Sequence, residues 1–303
     1  MKSKNTVTEL RELYSNGGNI MEYLRKQGES EHDQASIIEL SYDLQAGSYV
    51  DLLKRPDVMA KKLQFSKALA RYIDELEVSS LLEAGVGEAT TLAHVLQLMD
   101  NPPKEVYGFD IAWSRLKFAE KYIRGQELGI KVDLFTSDLT SIAAPDNAYE
   151  LVLTCHAVEP NRGDEEEIIR ELSRVSNKYV LMLEPASMLG SDETKAHIEK
   201  NRYCKDLRLT AERVGLRVVD HSLFEHCANT YNQTELLLLE VPAEEPKFEH
   251  KYGCPVCSSL LEHKKGSYYC YKDALVFPVI DGIPCLRRGN GIIATKFLDF
   301  YNE

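Results

Sequence analysis

Three carboxylates and two glycines in the middle of this chain have the types and spacing needed to hold a small polar ligand. Glu83, Asp110 and Asp138 each stand at or just beyond the end of an apolar run, and Gly85 and Gly87 follow the first of them. Glycines at such a place allow a tight turn and let the backbone approach a ligand closely. Carboxylates there can accept hydrogen bonds from hydroxyl, amine or ammonium groups. The pattern predicts a binding site.

Alternating strands and helices must position these residues. Because helices separate most successive apolar runs, we expect parallel pairing with right-handed crossovers, that is, an α/β fold. The last two strands have no helix between them and are expected to pair antiparallel. The predicted strands are 78–83, 105–110, 131–135, 151–155, 179–183, 216–224 and 235–241, and the predicted helices between them are 90–99, 114–126, 165–175 and 194–214.

The glycine turn departs from the dinucleotide-binding fingerprint, which places a third glycine three residues after the second. Thr90 occupies that position. A carboxylate at Glu83 is unfavourable beside a pyrophosphate but suits a ligand that carries an ammonium group. The alternative interpretation is a turn without a ligand, followed by acids that only cap helices. Placement after three successive strands favours a ligand, because ligands of open α/β sheets lie at the carboxyl ends of the strands.

Glu83, Gly85, Gly87, Asp110 and Asp138 together resemble the signature of the class I S-adenosylmethionine-dependent methyltransferases, over about residues 60–241. The resemblance implies a Rossmann-like sheet of seven strands, mostly parallel, with an antiparallel last strand. It also implies S-adenosylmethionine as the cofactor, with the glycine loop against its methionine part.

The resemblance assigns further roles residue by residue. Asp110 would hold the ribose and Ile111 would pack on the adenine, while Asp138, with Leu139, would hold the adenine amine. One departure is Ala89, which stands where the family often has a third glycine.

His156 and Glu159 follow the fourth predicted strand, the region that faces the transferred methyl group in the family. Either could accept a proton from a hydroxyl nucleophile as a general base; the alternative is that His156 only closes the pocket. Many methyl transfers need no base, and the protein then contributes alignment and desolvation. Cys155 is expected to be a small buried residue, and Glu184 to line the same mouth or to cap the turn after its strand.

Residues 1–76 are predicted to be helical, with Gly17 and Gly18 separating the first two helices. In similar enzymes such helices fold over the cofactor as a lid. Tyr42, Gln45 and Tyr49 are spaced for one face of a helix. Tyr49 is our candidate for a contact with the cofactor, and plain helix packing is the alternative.

Cys254 and Cys257 form one pair of candidate zinc ligands, and Cys270 and Asp273 form a second pair. In each pair the residues are three positions apart, which is the spacing with which two turns surround a tetrahedral zinc ion. Cys285 is a rival for the fourth position and His263 a weaker one. The segment resembles a small zinc-domain family found as activator partners of RNA and protein methyltransferases, in which a cysteine usually replaces the aspartate. A metal-free small domain with a core of Tyr268, Phe277, Val279 and Ile283 is the alternative. The candidate ligands are Cys254, Cys257, Cys270 and Asp273.

Composition and charge restrict the expected partners and cellular location of the protein. The 303 residues carry a net charge of -12, which disfavours nucleic acid as a general partner. No apolar run reaches a membrane-spanning length, no signal region follows Met1, and seven cysteines fit reduced thiols. We expect a cytoplasmic protein without membrane association, and the sequence leaves the oligomeric state open.

These observations predict three parts: an N-terminal helical lid (1–76), a cofactor-binding core (77–242) and a small zinc-ribbon-like domain (250–303). The predicted function is methyl transfer to a small or medium polar molecule. A faint resemblance to methyltransferases of surface-polysaccharide pathways suggests a sugar or nucleotide-sugar. The alternatives are an RNA- or protein-modifying methyltransferase that docks through the C-terminal domain, and a non-catalytic binder of S-adenosylmethionine.

Overall fold

The computed structural model describes residues 7–27, 34–227, 229–242 and 252–300. Of the charged, proline-bearing linker predicted at 242–247, all but Pro242 lies outside the described residues. The description below covers these four ranges.

All seven predicted strands are present and form one sheet. They are β1 (Ser80–Ala84), β2 (Glu105–Asp110), β3 (Val132–Thr136), β4 (Tyr149–Cys155), β5 (Ser176–Pro185), β6 (Arg217–Leu223) and β7 (Thr234–Glu240). Their spatial order is β3-β2-β1-β4-β5-β7-β6. β7 runs antiparallel to both of its neighbours, and the other pairs are parallel. The predicted Rossmann-like fold with an antiparallel last strand is confirmed.

Helices cover both faces of this sheet. Leu82 and Ala84 of β1 point into one apolar core, while Leu81 points into the other. This two-sided burial is why the strands read as nearly continuous apolar runs. The helices are α1 (Val7–Ser15), α2 (Ile20–Gln27), α3 (Gln34–Leu44), α4 (Ser48–Leu52), α5 (Pro56–Asp74), α6 (Thr90–Leu98), α7 (Trp113–Gly125), α8 (Glu165–Val175), α9 (Asp192–Asn201) and α10 (Leu207–Arg213).

One predicted helix is wrong. The segment 194–214 contains two helices, α9 and α10, rather than one. Arg202 and Asp206 adopt the left-handed conformation, with φ of 56° and 57°, and the chain turns between them. Neither residue is a glycine, so the sequence carries no obvious signal for this break.

A second, antiparallel sheet lies in the C-terminal segment, and it shares a core with the first. Phe277 belongs to the same apolar cluster as Phe135 of β3. The backbone N–H of Leu286 donates to the carbonyl of Thr136 at 3.1 Å, so the segment covers the outer edge of β3. The strands are β8 (Glu262–Lys264), β9 (Ser267–Cys270), β10 (Leu275–Ile280), β11 (Ile283–Pro284) and β12 (Ile292–Ile293).

Candidate active site

A pocket of about 310 Å³ opens at the carboxyl ends of the central strands. The N-terminal helices and the loop between β6 and β7 form its other walls. The pocket brings together every residue that the sequence predicted for the cofactor and for catalysis: Glu83, Gly85, Gly87, Asp110, Ile111, Asp138, Leu139, Tyr49, His156 and Glu159.

The glycine loop has the conformation that only glycine adopts readily. Gly85 has φ of 79°, and a Cβ there would lie 2.3 Å from the Cβ of Ala157. Glycine is therefore required by packing between two loops as well as by the turn. Ala89, where the family often has glycine, has φ of 56° and precedes α6. Its left-handed conformation explains why glycine is the more usual residue at this position.

Glu83 presents an unpaired carboxylate oxygen to the pocket. Only 2% of the residue is exposed, and its Oε2 has no hydrogen-bond partner. Burial raises the pKa of Glu83 to about 8, against the opposing effect of the Lys62 charge. A buried carboxylate oxygen without a donor is costly. A ligand that supplies a cationic donor would remove this cost.

Asp110 and Asp138 are held firmly by hydrogen bonds from the backbone. Asp110 accepts from the N–H of Gly87 at 3.0 Å and from that of Ala112 at 2.9 Å, one on each oxygen. Burial raises its pKa. Asp138 accepts from the N–H and the hydroxyl of Thr140 through Oδ1, at 2.9 and 2.8 Å. Because carboxylate oxygens have two lone pairs each, both acids can accept further hydrogen bonds from a ligand.

Two buried contacts attach the N-terminal helices to this pocket. Glu88, beside the glycine loop, accepts from the N–H groups of Gly47 and Val50 at 2.9 and 2.8 Å. Asp43 accepts from the N–H and the hydroxyl of Ser114, both at 2.9 Å. Neither contact was predicted, because each joins residues far apart in the sequence.

Two of the three predicted lid residues face the pocket. Tyr42 and Tyr49 both contact the Arg115 guanidinium, and each ring centroid lies 4.6 Å from it. Gln45 donates instead to the carbonyl of Ser41 at 2.9 Å. The expectation of one shared helix face is wrong, because Tyr42 lies in α3 and Tyr49 in α4. Arg115 itself is buried, and its Nη2 has no partner.

Both ring nitrogens of His156 are engaged. Nδ1 lies 3.0 Å from Glu159 Oε2, and Nε2 lies 2.8 Å from the hydroxyl of Thr234. Burial lowers the pKa of His156, but the hydrogen bond and charge of Glu159 outweigh it and raise the pKa above its ordinary value. Since the Glu159 carboxylate only accepts, Nδ1 donates to it, and Nε2 is occupied by Thr234, so neither ring nitrogen is free to take a proton from a ligand. The geometry therefore favours Glu159 as the proton acceptor and His156 as the residue that orients it.

Two further polar residues shape this end of the pocket. Glu184, predicted to line the mouth or cap the following turn, instead accepts from the N–H groups of residues 157, 158 and 159 at 3.1 to 3.2 Å. Asn232 donates through Nδ2 to Glu159 Oε2 at 3.4 Å. Since a carboxylate only accepts, this contact fixes the amide orientation. The Oδ1 of Asn232 is then buried without a partner, in the wall of the pocket.

The predicted metal ligands also lie together, away from this pocket. Their ligand atoms are all within 4.8 Å of one another, with Cys257 and Cys270 sulfurs 3.6 Å apart. A tetrahedral zinc with Zn–S bonds of about 2.3 Å requires S···S separations of about 3.8 Å. The cluster comprises Cys254, Cys257, Cys270 and Asp273. Neither Cys285 nor His263 belongs to it in the part of the chain that the structure describes.

Comparisons with known proteins agree with the fold. Residues 81–178 match a family model described as a methyltransferase domain. Ajmaline N-methyltransferase of Rauvolfia serpentina is 32% identical over 102 residues, which is 34% of this chain and 34% of that protein. The match thus spans about a third of the length of this relative.

Magnesium protoporphyrin IX methyltransferase from Synechocystis PCC 6803 has a similar structure. Its forms with bound SAH and bound SAM each give a TM-score of 0.51, at 12% and 13% identity. They cover 66% and 69% of this chain and 97% and 98% of that protein. At such identities the likeness shows the fold. Together with the matched domain, it agrees with the predicted cofactor.

No helix within the described ranges has the length and apolar character needed to cross a lipid bilayer.

Proposed function

We propose, starting from the methyltransferase domain at residues 81–178, that this chain is an S-adenosylmethionine-dependent methyltransferase acting on a small polar molecule. The observation that carries the proposal is the unpaired, buried Oε2 of Glu83 at the end of β1, in a pocket that also presents Asp110 and Asp138. S-adenosylmethionine supplies a methyl group on a sulfonium centre when it is bound.

Each of the three acids would bind a different part of this cofactor. Glu83 would hold the ammonium group and Asp110 the two ribose hydroxyls. Asp138 would accept from the adenine amine, with Ile111 and Leu139 on the faces of the ring. A charge-assisted hydrogen bond of this kind contributes about 1.5–3 kcal/mol.

Calorimetric titration with S-adenosylhomocysteine tests the cofactor assignment. We expect micromolar binding to the wild type and a loss of at least about tenfold in Asp110→Ala, which removes the carboxylate that would hold both ribose hydroxyls. Asp133→Ala is the matched control, because Asp133 pairs with Lys131 outside the pocket. Absence of binding to the wild type would refute the proposal, and unchanged affinity in Asp110→Ala would remove Asp110 from the ribose role.

The acceptor molecule should be a hydrogen-bond donor. The loop after β4 and the loop between β6 and β7 present the carboxylate of Glu159 and the unpaired Oδ1 of Asn232 to the pocket, and both groups accept hydrogen bonds. A sugar hydroxyl, including that of a nucleotide-sugar, meets this requirement, and so does an amine. The matched relative is by name an N-methyltransferase, which favours the amine.

Glu159 is placed to take the proton that such an acceptor loses. His156 and Asn232 both donate to its Oε2, so the carboxylate keeps a fixed orientation. Release of S-adenosylhomocysteine can be followed for matched acceptors, one with a free amine or hydroxyl and one fully methylated. We expect turnover only with the free group, and a lower kcat in Glu159→Gln. Equal turnover of both acceptors would contradict this assignment.

The sequence alternative of an RNA- or protein-modifying enzyme predicts a basic stripe or a hydrophobic patch near the pocket, and the basic candidates are Lys264, Lys265, Arg287 and Arg288. Lys264 pairs instead with Glu262 at 3.0 Å, Arg287 pairs with Glu39, and Arg288 donates to a backbone carbonyl. These three basic groups already have partners within the chain, which favours the small-molecule acceptor.

For the C-terminal segment we propose a structural zinc site formed by the three cysteines and Asp273. A closed set of four ligands leaves no position for chemistry, so the ion would stabilise the segment that covers β3. Metal analysis of protein purified without chelator should give one zinc per chain, lost in Cys254→Ser and kept in Cys285→Ser. Metal-free wild type, or equal loss in both variants, would refute the site.

A further inference from the structure

Lys62 is a half-buried cation in the same pocket, and it comes from outside the matched domain. It lies on α5 and lines the pocket near the glycine loop. Its Nζ donates to the hydroxyl of Thr91 at 2.8 Å. Burial lowers the pKa of its ammonium, and the charges of Cys155 and Glu83 oppose that shift.

The protein does not neutralise this ammonium. In the ranges that the structure describes, no carboxylate oxygen lies within 4.0 Å of Lys62 Nζ, which is the distance limit for an ion pair. A half-buried charge that contacts only a hydroxyl group and, at 5.9 Å, the ring of Phe65 is better satisfied when a ligand of opposite charge pairs with it. The site is therefore built for an anion.

The surroundings of Lys62 favour an anion as well. Thr91 lies in the first turn of α6, and the residue before this helix, Ala89, contributes no side-chain cap. The N-terminus of a nine-residue helix carries partial positive charge and free N–H groups. Lys62 thus approaches a helix terminus that already attracts negative charge.

Glu83 lies close enough to Lys62 for each charge to affect the pKa of the other. The unpaired carboxyl oxygen of Glu83 and the ammonium of Lys62 also line the same pocket. A ligand group that satisfies both must carry a positive and a negative charge within a few bonds of each other. The α-amino acid group is of this kind.

We propose that Lys62 binds the α-carboxylate of the cofactor, while Glu83 binds its α-ammonium. This inference rests on the proposed function, because it assumes a ligand with an amino-acid end. It gives α5 a role in cofactor selection: the pocket distinguishes the complete cofactor from adenosine thioethers that lack the carboxylate.

Titration with three ligands tests the inference: S-adenosylhomocysteine, its decarboxylated analogue, and 5′-methylthioadenosine, which lacks the amino-acid end. The wild type should bind the first at least tenfold more tightly than the second. Lys62→Met should lose at least tenfold for S-adenosylhomocysteine and be unchanged for the other two ligands. Lys62→Arg should keep much of the difference, and Lys61→Met, at an exposed neighbour, is the matched control.

The outcomes separate the two proposals. If the wild type binds none of the ligands, the proposed function fails. If it binds S-adenosylhomocysteine and the decarboxylated analogue equally well, the role of Lys62 fails and the proposed function stands. Equal weakening of all three ligands in Lys62→Met would also overturn the role, since it would indicate a purely structural effect. The wild-type comparison needs no variant and holds even if Lys62→Met folds poorly.

Discussion

The affinity for S-adenosylhomocysteine should depend steeply on pH through Glu83. Burial raises the pKa of this carboxyl to about 8 in the ligand-free protein, so most molecules carry a neutral Glu83 at pH 7. An ammonium group binds the ionised form. Binding must therefore release a proton, and the affinity should increase as the pH rises towards 8.

The size of the effect follows from the ionised fraction. With a pKa of about 8, that fraction is about one in eleven at pH 7 and about one in a hundred at pH 6. The apparent affinity should thus fall about ninefold from pH 7 to pH 6, which corresponds to ~1.3 kcal/mol. Titration calorimetry in two buffers of different ionisation enthalpy would also count the released proton.

Glu83→Gln is the matched variant, because glutamine keeps the shape and cannot ionise. Its affinity should be low and nearly independent of pH over the same range. 5′-Methylthioadenosine, which has no ammonium group, should bind the wild type without this slope. A wild-type affinity that is flat between pH 6 and pH 8, or a slope that persists in Glu83→Gln, would refute the reasoning.

The same shift has a definite sign for stability. The folded pKa lies above the ordinary value of 4.5, so the native state holds a proton that the unfolded state releases. The ligand-free protein should therefore lose stability as the pH rises from about 4.5 to about 8. Glu83→Gln should remove this loss and melt at a higher temperature than the wild type at pH 8.

Three other substitutions test the contacts that hold the loops and helices around the pocket in place. Glu88→Gln places an amide NH₂ against one of the two N–H donors of residues 47 and 50. We therefore expect the free energy of unfolding, measured in urea, to fall by about 2 kcal/mol. An unchanged value would show that this contact does not hold α4. Glu184→Gln should speed hydrogen exchange of the amides at 157–159 by about tenfold, since a charged acceptor is lost, and unaltered exchange would argue against its role in that loop. Gly85→Ala should cost at least about 2 kcal/mol more than Gly129→Ala, because both have positive φ but only Gly85 meets a neighbouring side chain; equal melting temperatures would contradict the proposed clash.

The sequence predicted those features of the site that are local in the chain. Glu83, Asp110 and Asp138 are each readable from the strand that precedes them, and their meeting follows from the parallel order of the strands. The grouping of three cysteines with Asp273 was likewise predictable from two pairs of residues, each three positions apart in the sequence. The break in 194–214 was not, because it depends on left-handed residues that are not glycines.

Long-range contacts account for what the sequence did not indicate. Lys62 meets Thr91 across 29 positions, and Glu184 meets Ala157 across 27. From the sequence, a lysine in an amphipathic helix is expected to face solvent. The packing of α5 against α6 instead places Lys62 against Thr91 in the pocket. In the same way, the burial of the unpaired Oδ1 of Asn232 depends on how the loop between β6 and β7 packs against the rest of the protein.

The cofactor site therefore depends on more of the chain than the matched domain. Residues 81–178 contain the glycine loop and the three acids, whereas Lys62 comes from α5 and the anchors of Glu88 and Asp43 hold the helices before it. At the opposite edge, Leu286 pairs with Thr136, two residues before Asp138. Since β3 and the loop after it depend on that edge, the C-terminal segment supports the side of the pocket where Asp138 lies. A core cut at 77–242 would keep the three acids but lose the cation of Lys62 and the cover of β3, so it should lose the discrimination for the amino-acid end together with stability.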